Sequence, residues 1–255
     1  MIKIKLRLNF IRSKVKLQLF LIKNLKEQKF RCPVCNFYGP FASLNPPSGF
    51  RKHAKCPRCG ALERHRIQYI VINNLLKDRN IARLRMLHFA PEPFFRRIFQ
   101  EKFDQYETAD LYRDDVDHKA DLRCLPFENE SYDLIFASHV LEHILEDKKA
   151  ILEIRRILRP NGIAILPVPL VSEKTIEYME PNPAEDYHVR APGQDYFEKY
   201  DEIFSRVETF CSEFFPVEYQ LYIYEDRSKW PTEECPLRSP MSGEKHSDVV
   251  PVCYV

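Results

Sequence analysis

Four of the eight cysteines are paired by spacing: Cys32/Cys35 and Cys56/Cys59 form two Cys-x-x-Cys turns with twenty residues between them. Each turn is built alike. A proline follows the first thiol (Pro33, Pro57), and Asn36 or Gly60 follows the second. Proline fixes φ and Asn or Gly accepts a left-handed conformation, so backbone N–H groups can turn toward the sulfurs. Four thiolates from two such turns make a closed tetrahedral site, the form taken by structural zinc. A dithiol redox centre needs one pair opening a helix in a βαβ context, which neither pair has. Disulfides would call for secretion, and no cleavable leader is visible. With no open ligand position, the expected role of Zn2+ is folding and shape. Cys124, Cys211, Cys235 and Cys253 lack ligand spacing and read as small apolar side chains.

A second chemical set stands at the ends of strand-like runs. Glu92 follows Arg85–Ala90, Asp110 closes Gln105–Asp110, and Asp121 lies in the short run Lys119–Leu122. Ser138 and His139 follow Tyr132–Ala137. Acids at successive strand ends suit the amine and hydroxyl groups of a nucleoside-type ligand. His139 reads either as a general base or as a helix-start histidine bonded to backbone; His143, one turn on, reads as structural. Farther along, Asp186-Tyr187-His188-Val189-Arg190 gathers donors and acceptors inside a proline-broken stretch, 170–194, that has no clear periodicity. Long loops of this kind form lids or substrate walls. Arg190 would clamp a carboxylate or phosphate there, or tie down its own loop; both readings stand.

These residues need a scaffold, and the pattern supplies one. Strands at 85–90, 105–110, 119–122, 132–137 and 163–167 alternate with helices near 92–102 and 148–158. The chain turns at Pro160-Asn161-Gly162. Alternation of this kind implies an α/β, Rossmann-like parallel sheet with helices on both faces. Such sheets bind ligands outside the carboxyl ends of their strands. A helix should run from Ala61 to about Lys77, its first turn (Glu63-Arg64-His65-Arg66) being either a solvated charged face or a bridge to the body. Another is expected over 195–209, where Tyr196, Phe197, Tyr200, Ile203 and Phe204 form an aromatic stripe.

The passage Tyr132-Asp133-Leu134-Ile135-Phe136-Ala137-Ser138-His139-Val140-Leu141-Glu142-His143, with Arg155-Arg156-Ile157-Leu158-Arg159-Pro160-Asn161-Gly162 after it, resembles the class I S-adenosylmethionine-dependent methyltransferases. Ala120–Phe127 is similar to that family's adenine-contacting segment. The likeness is good over 85–170 and loose elsewhere. It implies a seven-stranded methyltransferase sheet whose last two strands lie within 215–225 and 249–255. It also implies S-adenosyl-L-methionine as cofactor, held by Ala90, Glu92, Asp110, Leu111, Asp121, Leu122 and Ser138, with His139 facing the acceptor and His188 and Arg190 on the substrate side. One departure is plain: the family's glycine-rich first turn is replaced by Leu87-His88-Phe89-Ala90-Pro91-Glu92, so Ala90 must do a glycine's work. This variant turn beside a four-cysteine leader resembles a subgroup of the family.

Charge divides the chain. Residues 1–31 hold ten Lys/Arg against Glu27 alone, a net +9, which against +2 for the whole leaves −7 on the rest. The expected organisation is a basic arm (1–30), a zinc-ribbon-like module with its linking helix (31–80) and a methyltransferase domain (81–255). The arm reads as an amphipathic helix over 10–25. It either packs on the body or meets a membrane surface or RNA. No apolar run approaches a membrane span. The expected acceptor is a small molecule or glycan precursor; an RNA acceptor, or a fold retained only for binding, are the alternatives. The thiol-rich module suggests a reducing, cytoplasmic setting.

Overall fold

The computed structural model describes residues 2–46, 48–233 and 235–255, and the side chains of residues 2–11 and 13 fall outside that description, those of Lys3, Lys5 and Arg7 of the basic arm among them. Helix α1 (Ile2–Lys23) carries the arm. Leu17 and Leu21 pack it against Phe30, Phe37 and Phe41 beside the cysteines.

The body is one seven-stranded sheet: β1 (Arg85–Phe89), β2 (Gln105–Asp110), β3 (His118–Lys119), β4 (Tyr132–Ala137), β5 (Leu158–Ile165), β6 (Arg206–Cys211) and β7 (Val249–Tyr254). Across the sheet the order is β6-β7-β5-β4-β1-β2-β3. β7 runs antiparallel to both neighbours, while the pairs from β5 to β3 are all parallel. Strand order reverses between β1 and β4, where Phe89 faces Ala109 on one side and Ala137 on the other.

Alternation within β1 and β4 sorts their side chains onto two faces. Met86, Leu134 and Phe136 join a core with α2 (Glu63–Leu76) and α3 (Pro93–Lys102). Leu87, Ile135 and Ala137 join the other with α4 (Asp147–Ile157) and the aromatic residues Tyr196, Phe197 and Tyr200. Pro93 sits in the first turn of α3, where its missing N–H costs nothing.

Four expectations are corrected. The segment 195–209 is not one helix: a 3-10 turn and a four-residue helix (Glu198–Asp201) give way to β6. The aromatic residues do enter the core, but Arg206–Cys211 alternates and pairs with β7, so the sixth strand is here and not within 215–225. The 170–194 stretch contains an antiparallel hairpin, Ile176–Asn182 with His188–Ala191, whose proline content hid its pairing. The third strand ends at Lys119, because Asp121 turns back to bridge Cys124.

Ile223–Glu225 joins a different sheet. With Lys245–His246 it extends the hairpin of Ala42–Leu44 and Arg51–Lys55 into four strands. The small sheet thus draws strands from both sides of residue 81. Arg66 fixes this junction. Fully buried on α2, it donates to the carbonyls of Ala54 (2.9 Å), Ala61 (2.8 Å), Tyr219 (3.1 Å) and Gln220 (3.0 Å).

Candidate active site

A cavity of about 720 Å³ opens at the carboxyl ends of β1, β2 and β4, next to the reversal in strand order. Its floor includes Phe89, Ala90, Asp110, Leu111, Asp121 and Leu122. Its far wall comes from His139 and His143 after β4, and from Pro181, Asp186, Tyr187 and Val189 of the hairpin.

Ala90 holds φ at +45°, and its N–H donates to Ala109 O at 2.9 Å. The backbone takes the left-handed turn that a glycine would take, at a cost of about 1–2 kcal/mol for an L-residue. The smallest side chain other than hydrogen keeps the floor open.

Asp110 is set by its own turn. Its Oδ1 accepts the N–H groups of Tyr112 (2.8 Å) and Arg113 (3.0 Å), and Arg113 reaches across to Pro91 O at 2.8 Å. Among the described residues Oδ2 has no partner, which suits it to hydroxyl donors. Asp121 is more heavily engaged: the Arg123 side chain grips both oxygens in three bonds (2.7–3.1 Å) and its backbone N–H adds a fourth, at 2.9 Å. The hydrogen bond from Arg123 holds this carboxyl below its usual range despite some burial.

His139 stands at φ +56° with its N–H on Pro167 O at 2.9 Å. Loss of solvent pushes its pKa well below the ordinary value, and the charge of Arg64 adds to this. The ring is therefore neutral near pH 7 and keeps a lone pair, as a base requires. Its Nδ1 is 3.6 Å from Glu142 Oε1. Glu142 is 1% exposed, and burial pushes its carboxyl up to about 8. His143, read from sequence as structural, lines the cavity and meets His188 edge-on at 4.6 Å.

Four expected site residues do not line the cavity. Glu92 pairs with Arg64 at 2.5 Å and His65 at 3.3 Å, so the first turn of α2 bridges to the body and spends this acid. Burial alone would raise its carboxyl; His65 and Arg64 hold it well below the usual range. Ser138 is buried and its Oγ accepts from Gln68 at 3.1 Å. Arg190 is 1% exposed, with its guanidinium on the carbonyls of Leu141 (2.8 Å), Ile144 (2.6 Å) and Leu145 (3.1 Å) and on Glu177. Of the two readings it takes the second: it ties its own hairpin down. His188 sits behind Tyr187 and Val189, which reach the cavity in its place. Asp186 and Tyr187 take left-handed φ values (52° and 63°), a turn that alternation in sequence does not signal.

In the small module the four cysteine sulfurs lie within 4.8 Å of one another. Cys32 and Cys59 are 3.6 Å apart and Cys35 and Cys56 are 3.7 Å apart, far beyond a disulfide. A tetrahedral ion with bonds of about 2.3 Å spaces its sulfurs by about 3.8 Å. The donor set fits such an ion in number, type and spacing.

A family model described as "Methyltransferase domain" matches residues 90–166, the stretch from the first turn through β5. Among curated proteins none matches the sequence. Of solved structures, an S-adenosylmethionine-dependent methyltransferase from Mesorhizobium loti is 15% identical over 75% of this chain and 99% of its own, with a TM-score of 0.49. A phosphoethanolamine N-methyltransferase from Haemonchus contortus, in complex with phosphomonomethylethanolamine and S-adenosylhomocysteine, is 14% identical over 73% of this chain and 52% of its own (TM-score 0.47). The matched segment holds the left-handed first turn, the acid ending β2 and the histidine after β4. Over that segment the chain is similar to the methyltransferase domain family.

Proposed function

We propose that this chain methylates a small polar molecule or glycan precursor inside a walled pocket, with a zinc-bound module as scaffold. The observation that carries the reading is one continuous cavity. It runs from the acid at the end of β2 to His139, and the hairpin roofs its far side. At about 720 Å³ it falls within the range of small-molecule sites, about 300–1,000 Å³.

In this reading Asp110 and Leu111 hold the ribose end of the cofactor, Asp121 and Leu122 frame the base, and Ala90 lets the methionine end lie against backbone. S-adenosylmethionine supplies an electrophilic methyl group with its own leaving group, so the protein's part is alignment and a dry pocket. His139 faces the acceptor and takes its proton. Zinc at Cys32, Cys35, Cys56 and Cys59 holds the module that Arg66 locks to the body. A reducing, cytoplasmic setting suits these thiolates.

Calorimetric titration of the zinc-loaded chain with S-adenosylmethionine tests the core of this. Wild type should bind one equivalent, and Asp110→Ala, folded by circular dichroism, should lose binding. A folded wild type that binds none would leave a module that has kept the fold without the chemistry.

An RNA acceptor is the second reading, favoured by the +9 charge of residues 1–31. Its mark would be RNA affinity that falls steeply with salt and vanishes when those residues are removed. A membrane surface is the other partner the arm suits, since Val15, Leu19 and Ile22 stay exposed among its lysines. No helix among the described residues is long and apolar enough to cross a membrane.

A further inference from the structure

Behind the acceptor wall lies a cluster that methyl transfer does not use. Glu142 and His143 share one 3-10 turn, Leu141–His143, and His188 opens the return strand of the hairpin. One ligand atom from each lies within 4.8 Å of the others. Glu142 is 1% exposed, and its Oε2 has no hydrogen-bond partner; the buried Nδ1 of His188 has none either. His188 Nδ1 is 4.0 Å from Glu185 Oε2, a buried acid that Arg238 holds at 2.8 Å. Buried polar atoms left without partners on Glu142 and His188 are costly if nothing joins them.

We propose that Glu142, His143 and His188 bind a divalent first-row transition ion at the acceptor end of the cavity. Two imidazoles and one carboxylate are the donor set of open catalytic zinc sites and of facial iron sites. Three protein ligands leave positions free, and since His143 lies on the cavity wall the site adjoins the acceptor space. The acceptor class this selects carries an oxygen able to ligate the ion: a carboxylate, a phosphate or a pair of adjacent hydroxyls. His139 stays outside the ligand set, 3.6 Å from Glu142, and keeps its lone pair for the acceptor proton.

Arg190 is the positioning residue for this site. Its guanidinium joins the carbonyls of Leu141, Ile144 and Leu145 to the strand that bears His188, so it fixes the two halves at one distance. Its charge is met by Glu177 at 2.9 Å and Asp147 at 3.4 Å.

The site goes beyond the proposed function and can be tested without the methyl donor. The full chain is dialysed against zinc and then against metal-free buffer, and metal per chain is measured. Two ions are expected in wild type and one in both Glu142→Gln and His188→Ala, with the cysteine thiols still protected from a thiol reagent. Cobalt added to wild type given a single equivalent of zinc should show d–d absorption without a thiolate charge-transfer band, and neither variant treated alike should show it. Urea midpoints verify folding; should Glu142→Gln fail to fold, His188→Ala carries the test. One ion per wild-type chain, or cobalt uptake unchanged in a folded variant, overturns the proposal. S-adenosylmethionine binding is measured separately, so failure of the metal site and failure of the methyltransferase reading are distinguishable.

Discussion

Arg190 shows how a residue's type can be read correctly and its partner missed. A fork of five donors in a polar loop suits an anionic substrate, and nothing in the local sequence says that carbonyls 141, 144 and 145 will lie opposite it. They do, because the hairpin folds back over the turn that follows β4. Removing that fork leaves three carbonyls without their donor in a buried place, while the exposed Glu177 keeps Lys199 at 3.3 Å. Arg190→Met should therefore lower unfolding free energy by about 3–5 kcal/mol, read from urea denaturation, and Arg190→Lys should recover only part of it because an ammonium cannot span all three carbonyls. Wild-type stability in Arg190→Met would return this residue to the role of substrate clamp. Asp110 and Ala90 were legible for the opposite reason. Their surroundings are local, a strand end and the turn after it, and strand ends can be read from hydrophobic runs.

At the scale of elements, β1 hides a histidine that a strand pattern treats as one more buried position. His88 is 1% exposed, packed edge-on to Phe99 at 5.4 Å and close to Phe136 at 5.1 Å, with Nδ1 2.8 Å from the Tyr106 hydroxyl. Burial pulls its pKa from 6.5 down to about 3. The folded state thus binds this proton less readily than the unfolded one, and the stability His88 allows is complete above pH 6.5. It is lost as pH falls from 6.5 toward about 3. Between pH 6.5 and 4.5 the loss is on the order of 3 kcal/mol. His88→Leu orphans the Tyr106 hydroxyl, but that cost varies little over this range, so the slope of stability against pH is the quantity to compare. Wild type should fall more steeply than the variant between pH 6.5 and 4.5. Parallel curves would show that the ring takes up its proton without loss of packing. The elements themselves were largely readable in this half of the chain: β2 and β4 span the residues expected of them, 105–110 and 132–137. The second half was not. Short helical turns around Tyr196–Tyr200 share an aromatic stripe with the strand after them. A hairpin broken by Pro181 and Pro183 gives no period-two signal.

At the scale of the whole molecule, the distant pairing that sequence cannot reveal decides how the chain unfolds. Ile223–Glu225 reads as a body strand, yet it pairs with Arg51–Lys55 beside the cysteine turns. Lys245–His246 closes the same small sheet, and three residues later the chain enters β7, which lies between β5 and β6. Melting the module therefore frees the segment that feeds β7 into the body. It also strips Arg66 of its carbonyls at 54 and 61 and removes the thiolate charge that offsets its guanidinium. Two consequences are expected. Zinc-loaded protein should unfold in one cooperative transition, with circular dichroism and Trp230 fluorescence coincident. Cys56→Ser, or removal of zinc by a chelator, should lower the body's midpoint along with the module's, and a chain of residues 81–255 alone should expose apolar surface and aggregate. If the chelated protein kept a body transition at the wild-type temperature, or residues 81–255 folded as a stable monomer, the small sheet would be an attachment and not part of the cooperative unit.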